Sequence, residues 1–100
     1  MIKELSNTEI IRMIGRRLRQ YRINLNLTQK ELAEKTNISV PTIQKFESGN
    51  SYNITFSNLL TIIRHLGLLD NIEKFIPEQP ESPYAKRRNQ QRIRHATEKN

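Results

Sequence analysis

Residues 28–49, TQKELAEKTNISVPTIQKFESG, decide the fold. Thr28 stands three residues before Glu31, the spacing of a capping box. The hydroxyl can accept the Glu31 N–H while the carboxylate reaches back to the start of the helix. A helix begun there carries Leu32, Ala33 and Thr36 on its inner side. Asn37 follows, a residue that tolerates the left-handed conformation needed to stop a helix in one step. Ile38 then points inward and Ser39 offers an N-cap to a second helix. Pro41 suits only the first turn of that helix, where its missing N–H has no intrahelical partner to lose. Ile43 and Phe46, three apart, share one face, and Gly49 ends the run. Ala33 supplies the small side chain that two sharply crossing helices need where they approach.

Two short helices joined by a tight turn make the helix-turn-helix pattern. The segment resembles the Cro/C1-type (XRE-like) helix-turn-helix of phage repressors and many bacterial regulators. The residues that carry the resemblance are Gln29 opening the first helix, Leu32-Ala33, Ile38, Ile43, Phe46 and the Glu47-x-Gly49 end. The chain departs from that pattern at Asn37, where Gly is usual, and at Thr36, where an aliphatic is commoner. Asn can serve in the turn and Thr keeps a methyl group. The resemblance implies an all-α, five-helix, lambda repressor-like DNA-binding domain.

Outward from this motif, Ser6 and Glu9 repeat the capping-box spacing, so a first helix is expected from near Thr8 to about Ile23. Its buried stripe is Ile11, Ile14, Leu18 and Tyr21. Arg12, Arg16 and Arg19 lie on another face, either solvated or touching DNA phosphates. Asn24-Leu25-Asn26-Leu27 is a connector whose leucines plug the core. Asn50 to Ile54 reads as a polar loop. Thr55 or Ser57 starts the next helix, with Phe56, Leu59, Leu60, Ile63 and Leu66 as its apolar set and Gly67 closing it. Leu68 to Phe75 is expected to form a short last helix ended by Pro77. Leu68, Leu69, Ile72, Phe75 and Ile76 are more apolar surface than one short terminal helix needs. They either close the core of a single copy or, as the resemblance implies, form a two-fold dimer contact.

At Pro77 the composition changes, dividing the chain into a domain of residues 1–76 and a segment of residues 77–100, PEQPESPYAKRRNQQRIRHATEKN. Three prolines in seven residues forbid helix or sheet and read as an extended linker. Beyond it Lys86, Arg87, Arg88, Arg92 and Arg94 form a basic run with only Tyr84 and Ile93 appreciably apolar, so a flexible tail is expected. Three uses are open to it: an arm on phosphates or a minor groove, a segment folding on a protein partner, or a solubilising end.

Seventeen Lys and Arg against ten acids give a net charge of +7, which points to a polyanion partner. There is no cysteine, so a disulfide scaffold and thiolate zinc sites are excluded. The start, MIKELSNTE, lacks the apolar run of a signal peptide, and no stretch approaches the roughly 20 apolar residues of a membrane span. The expectation is a soluble cytoplasmic protein acting at the bacterial nucleoid. Catalysis finds no support: His65 and His95 are far apart, and there is no HExxH, no Gly-rich phosphate loop and no Cys nucleophile. The chain is expected to be no enzyme and to need no metal or cofactor.

The function expected is sequence-specific repression by a dimer on a palindromic operator in double-stranded DNA. Gln29, at the start of the first motif helix, would donate to a phosphate. The second motif helix would enter the major groove by its N-terminal end. Mapped through the resemblance, its reading positions are Val40, Pro41, Thr42, Gln44 and Lys45, with Ser39 close by. Gln44 suits adenine, Lys45 guanine and Val40 a thymine methyl. Ser48, Asn50 and Tyr52, just past that helix, are phosphate candidates. The resemblance also implies an internal salt bridge between Arg22 and Glu47. The whole layout, with its LGLLDNIEKFIPE end and SPYAKRR tail, is similar to HipB-like regulators encoded beside HipA-family kinases in toxin–antitoxin operons. That would make a HipA-like kinase a partner. Two alternatives stand beside it: a phage or plasmid repressor or restriction-system controller without a kinase, and a protein-interaction adaptor acting through the basic tail.

Overall fold

Short polar side chains set where the helices start. A computed structural model describes residues 2–50 and 53–84 of the chain. The described residues hold five α-helices, a one-turn 3-10 helix at Ile2–Glu4 and no strand. Ser6 caps α1 (Asn7–Asn24) and Thr28 caps α2 (Gln29–Thr36), each with a complete capping box. In the second box the Glu31 N–H donates to Thr28 Oγ1 at 3.0 Å and the Thr28 N–H to Glu31 Oε1 at 3.1 Å. Ser39 caps α3 (Val40–Ser48), with Pro41 in its first turn, and Thr55 caps α4 (Phe56–His65). The five-residue α5 (Asn71–Phe75) has no side-chain cap.

The stops are as local as the starts. Asn37 ends α2 at φ 57° and Gly49 ends α3 at φ 79°, both left-handed. After Gly49 the chain folds back, the Asn50 N–H donating to the Lys45 carbonyl at 3.0 Å. The Asn37 bend lets α3 leave α2 at an angle, and the turn at Gly49 keeps the Lys45 and Phe46 carbonyls bonded.

Leu32, Ile43, Phe46 and Ile62 are the best-sealed side chains, joined by Leu18, Ala33, Ile38 and Leu66. Around them α3 packs on α1 and α2, and α2 on α4. The α1–α3 crossing is close because Gly15 has no side chain. A methyl group built there would overlap the Phe46 carbonyl oxygen. A glycine within a helix forgoes about 0.5–1 kcal/mol relative to alanine, and the close crossing is what that position provides here.

Several expected core positions differ. Tyr21, at the edge of the α1 stripe, is 47 % exposed, and Leu25 is 52 % exposed. Leu25 is the C-cap of α1, and its N–H still bonds back to the Tyr21 and Arg22 carbonyls. Leu27 alone of that pair is half-buried. In α4 the inner face centres on Ile62 and Leu66, with Phe56 left 58 % exposed at the first helical position. The last helix begins at Asn71 and not Leu68, because residues 68–70 form turns in which the Asn71 and Ile72 N–H groups bond to Leu68 and Leu69. Residues 77–84 carry neither helix nor strand and are exposed. No helix among the described residues is long and apolar enough to cross a membrane.

Two outcomes are expected. Gly15→Ala must push α3 away from α1, which should lower stability by about 2–3 kcal/mol in urea unfolding; an unchanged midpoint would show that the two helices part freely. Glu9 and Glu31 are both held below the usual carboxylate value of 4.5, first by the backbone N–H and then by the side chain of Ser6 and Thr28 respectively. A folded carboxyl with a depressed pKa contributes stability above its unfolded value and loses it as pH falls through the folded one. Thermal unfolding from pH 6 down to pH 3 should therefore fall less steeply for a Glu9→Gln, Glu31→Gln variant; equal slopes would remove the boxes from the acid response.

Candidate nucleic-acid interface

The second motif helix has one face pinned and one face free. Ile43, Phe46 and Glu47 are buried, whereas Val40, Pro41, Gln44, Lys45 and Ser48 are exposed. At 100° per residue these five exposed positions form one continuous outward stripe. The stripe begins with apolar Val40 and Pro41 and turns polar at Gln44 and Lys45, the chemistry that can meet a thymine methyl and then base-edge acceptors. Thr42 lies off the stripe and is half-buried. Its hydroxyl sits 2.7 Å from the Ser39 hydroxyl, and its N–H donates to that same Ser39 oxygen. Ser39, itself exposed, and Thr42 are hydrogen-bonded to each other at the N-cap, and the other four expected reading residues lie on the stripe.

The pinned face is held by a buried charge pair. Arg22 of α1 donates from Nε to Glu47 Oε2 at 2.8 Å and from Nη2 to Oε1 at 2.9 Å, a two-pronged bond between groups 25 residues apart. The side chains are 8 % and 4 % exposed. Arg22 Nη1 donates to the Leu27 carbonyl at 2.6 Å, so one guanidinium ties α1, the connector and α3 together. The Gln29 Nε2 donates to Glu47 Oε1 at 3.0 Å, bringing the start of α2 into the same network. This bond occupies one of the two N–H groups of the Gln29 amide. No buried polar side-chain atom among the described residues lacks a partner.

Arg12, Arg16 and Arg19 are exposed on α1. Arg12 reaches the end of α3, where its Nε–H donates to the Gly49 carbonyl at 3.1 Å. Ser48 turns its hydroxyl onto the Lys45 carbonyl at 3.1 Å, and Asn50 stands exposed beyond it. Tyr52 and the tail residues Lys86, Arg87, Arg88, Arg92 and Arg94 lie outside the described residues. On the far side of α1, Phe56 and Phe75 border an open apolar groove of about 350 Å³, floored by Ile14, Leu59 and Ile63. Leu68, Leu69 and Ile72 are half-buried beside it, while Phe75 and Ile76 are 65 % and 68 % exposed. His65 Nδ1 lies 2.9 Å from the Thr61 carbonyl, within its own helix.

Sequence reasoning missed Gly15 and the Arg12–Gly49 bond. A glycine amid an otherwise amphipathic helix is a signal for close backbone approach; the Arg12 contact leaves no trace in spacing. A family model described as helix-turn-helix matches residues 18–69, just over half the chain. No curated protein shows a significant match.

Arg22→Met would strand the Glu47 carboxylate and should cost about 3–5 kcal/mol, with a large part recovered when Glu47→Leu is added. Urea unfolding of the two single variants and the pair checks this; strictly additive losses would mean that the two charges do not act as a unit.

Proposed function

The chain belongs to the helix-turn-helix family, a family of DNA-binding transcription regulators, and from that premise we propose that it is a dimeric, sequence-specific repressor. The observation that carries this reading is the outward stripe of α3, exposed while the opposite face is locked by Arg22 and Glu47. Gln44 and Lys45 read base edges from that stripe, with Val40 and Pro41 at the tip, and the half-engaged Ser39–Thr42 hydroxyls beside them. Gln29, Ser48 and Asn50 flank the stripe at two helix ends and fix register on the backbone, with Arg16 and Arg19 further along α1.

The dimer is built from the C-terminal apolar edge of the domain. Leu68, Leu69, Ile72, Phe75 and Ile76 cluster at one end, and the exposed rings of Phe56 and Phe75 border the groove there. Burying that edge against a second copy would add apolar area to a domain with a small core. A two-fold pair then meets half-sites roughly 34 Å apart. The basic run Lys86, Arg87, Arg88, Arg92 and Arg94 follows this end in sequence and adds positive charge for the phosphates. The LGLLDNIEKFIPE and SPYAKRR stretches support the finer reading, a HipB-like regulator that represses its own toxin–antitoxin operon together with a HipA-family kinase. A repressor or controller without a kinase partner shares the same mechanism, and the identity of the neighbouring gene separates the two.

Fluorescence anisotropy on the palindrome upstream of the gene tests the proposal. Affinity should exceed that for unrelated DNA by at least about 10³-fold and fall steeply between 50 and 200 mM salt. Equal affinity for both sequences would overturn the repressor reading. Replacing Gln44 and Lys45 by Ala should compress the specific-to-unspecific ratio, while Arg87→Ala with Arg88→Ala should lower affinity for both sequences alike; the opposite pattern would exchange the two roles.

A further inference from the structure

The carboxyl end of a helix is a poor neighbour for a phosphate. Its last carbonyls carry a partial negative charge, roughly half an elementary charge in sum. At the end of α3 the Lys45 carbonyl is covered by the Asn50 N–H and the Ser48 hydroxyl, and the Phe46 carbonyl accepts the Gly49 N–H. The Gly49 carbonyl stands at the C-cap of that helix. Arg12 covers it from α1, 37 positions away in sequence, with its Nε–H at 3.1 Å. Gly49 itself makes room: a side chain there would press on the Arg12 stem, its Cβ falling 3.2 Å from Arg12 Cγ.

This bond uses the inner edge of the guanidinium. Among the described residues Arg12 makes no other hydrogen bond, so the Nη groups remain as donors in a fixed plane, the geometry that suits a phosphate. Arg12 and Arg16 stand one turn apart along an open groove of about 500 Å³, which Leu5 and Met13 also line. Glu9 borders this groove too; its Oε1 accepts the Ser6 N–H, and its carboxyl is held low first by the Ser6 hydrogen bonds and in smaller part by the Arg12 charge.

We propose that Arg12 bridges the end of the reading helix to the DNA backbone, Nε on the Gly49 carbonyl and Nη on a phosphate that flanks the half-site, with Arg16 following the same strand one turn along α1. The residue acts twice. It cancels the negative end of α3 that would otherwise repel the backbone, and it makes the height of α3 above the groove depend on a phosphate contact. This rests on the repressor reading above.

The test is a cycle between protein and DNA changes, read by anisotropy on the upstream palindrome. Single methylphosphonates remove the charge of one phosphate at a time. One position outside the base-read segment should weaken binding of the unsubstituted chain by about 10-fold or more and leave Arg12→Gln nearly unaffected. Arg12→Gln should also lower the salt slope by about 1 while the ratio between operator and unrelated DNA is kept. Arg12→Lys keeps the charge and stem without the planar fork, so it should retain the salt slope and recover only part of the affinity. Arg12→Met, which keeps much of the stem without the charge, carries the same cycle if Arg12→Gln lowers thermal stability. Loss of affinity uniform over all methylphosphonate positions with an unchanged salt slope would reduce Arg12 to a helix cap and overturn the proposal. If the unsubstituted chain prefers no sequence, the repressor reading falls and this one with it; preference without any coupled phosphate sinks only the role given to Arg12.

Discussion

A planar cation clamped on a buried carboxylate holds this domain in register. The Arg22–Glu47 pair joins the first helix to the third, and through Leu27 and Gln29 it gathers the connector and the second helix as well. A buried ion pair adds little net stability compared with a well-packed apolar pair, because both charges lose their water. What it supplies is geometry. An apolar contact can slide by a fraction of an ångström at little cost, whereas two parallel N–H···O bonds fix both distance and plane. The clamp lies near the C-terminal end of α3, so the N-terminal turn of that helix projects from a fixed root.

The contact between Gly15 and the Phe46 backbone works to the same end by a different force. Here the separation of α1 and α3 is set by backbone against backbone, without side-chain rotamers in between. The apolar core built around Ile43, Phe46 and Leu32 then fills the space that these two constraints define. α2 completes the arrangement, its departure angle set by the left-handed Asn37. Each piece is small, and a domain of this size has little stability in reserve.

Features determined by neighbours in sequence were legible before any coordinates. Ser6, Thr28, Ser39 and Thr55 start helices because a hydroxyl reaches an N–H only three residues on, and Asn37, Gly49 and Gly67 stop them through their own φ. Periodicity marked the inner faces, although the apolar set expected for α4 left out Ile62. It could not say where each face meets its neighbour, so Tyr21, Leu25 and Phe56 come out exposed while Ile62 is sealed. Resemblance, and not spacing, pointed to the pairing of Arg22 with Glu47, for nothing local relates residues 25 apart. The outward stripe of α3 follows from helical geometry once Ile43 and Phe46 are known to be inside. Arg12's grip on Gly49 depends on the crossing of α1 and α3, which no local pattern encodes.

The tip formed by Val40 and Pro41 is stiff as well as apolar. A pyrrolidine ring has no free side-chain rotation to lose, and a β-branched residue in a helix has essentially one rotamer. Docking such a tip sacrifices little conformational entropy, and it withdraws hydrocarbon from water without seeking a hydrogen-bond partner. Under the proposed mode of reading, the tip would act as a template of fixed contour, unable to re-aim itself at an imperfect sequence the way a long polar side chain can. In the proposed complex, adaptation at that point would fall to the nucleic acid, and the local deformability of the base steps would become part of what is recognised.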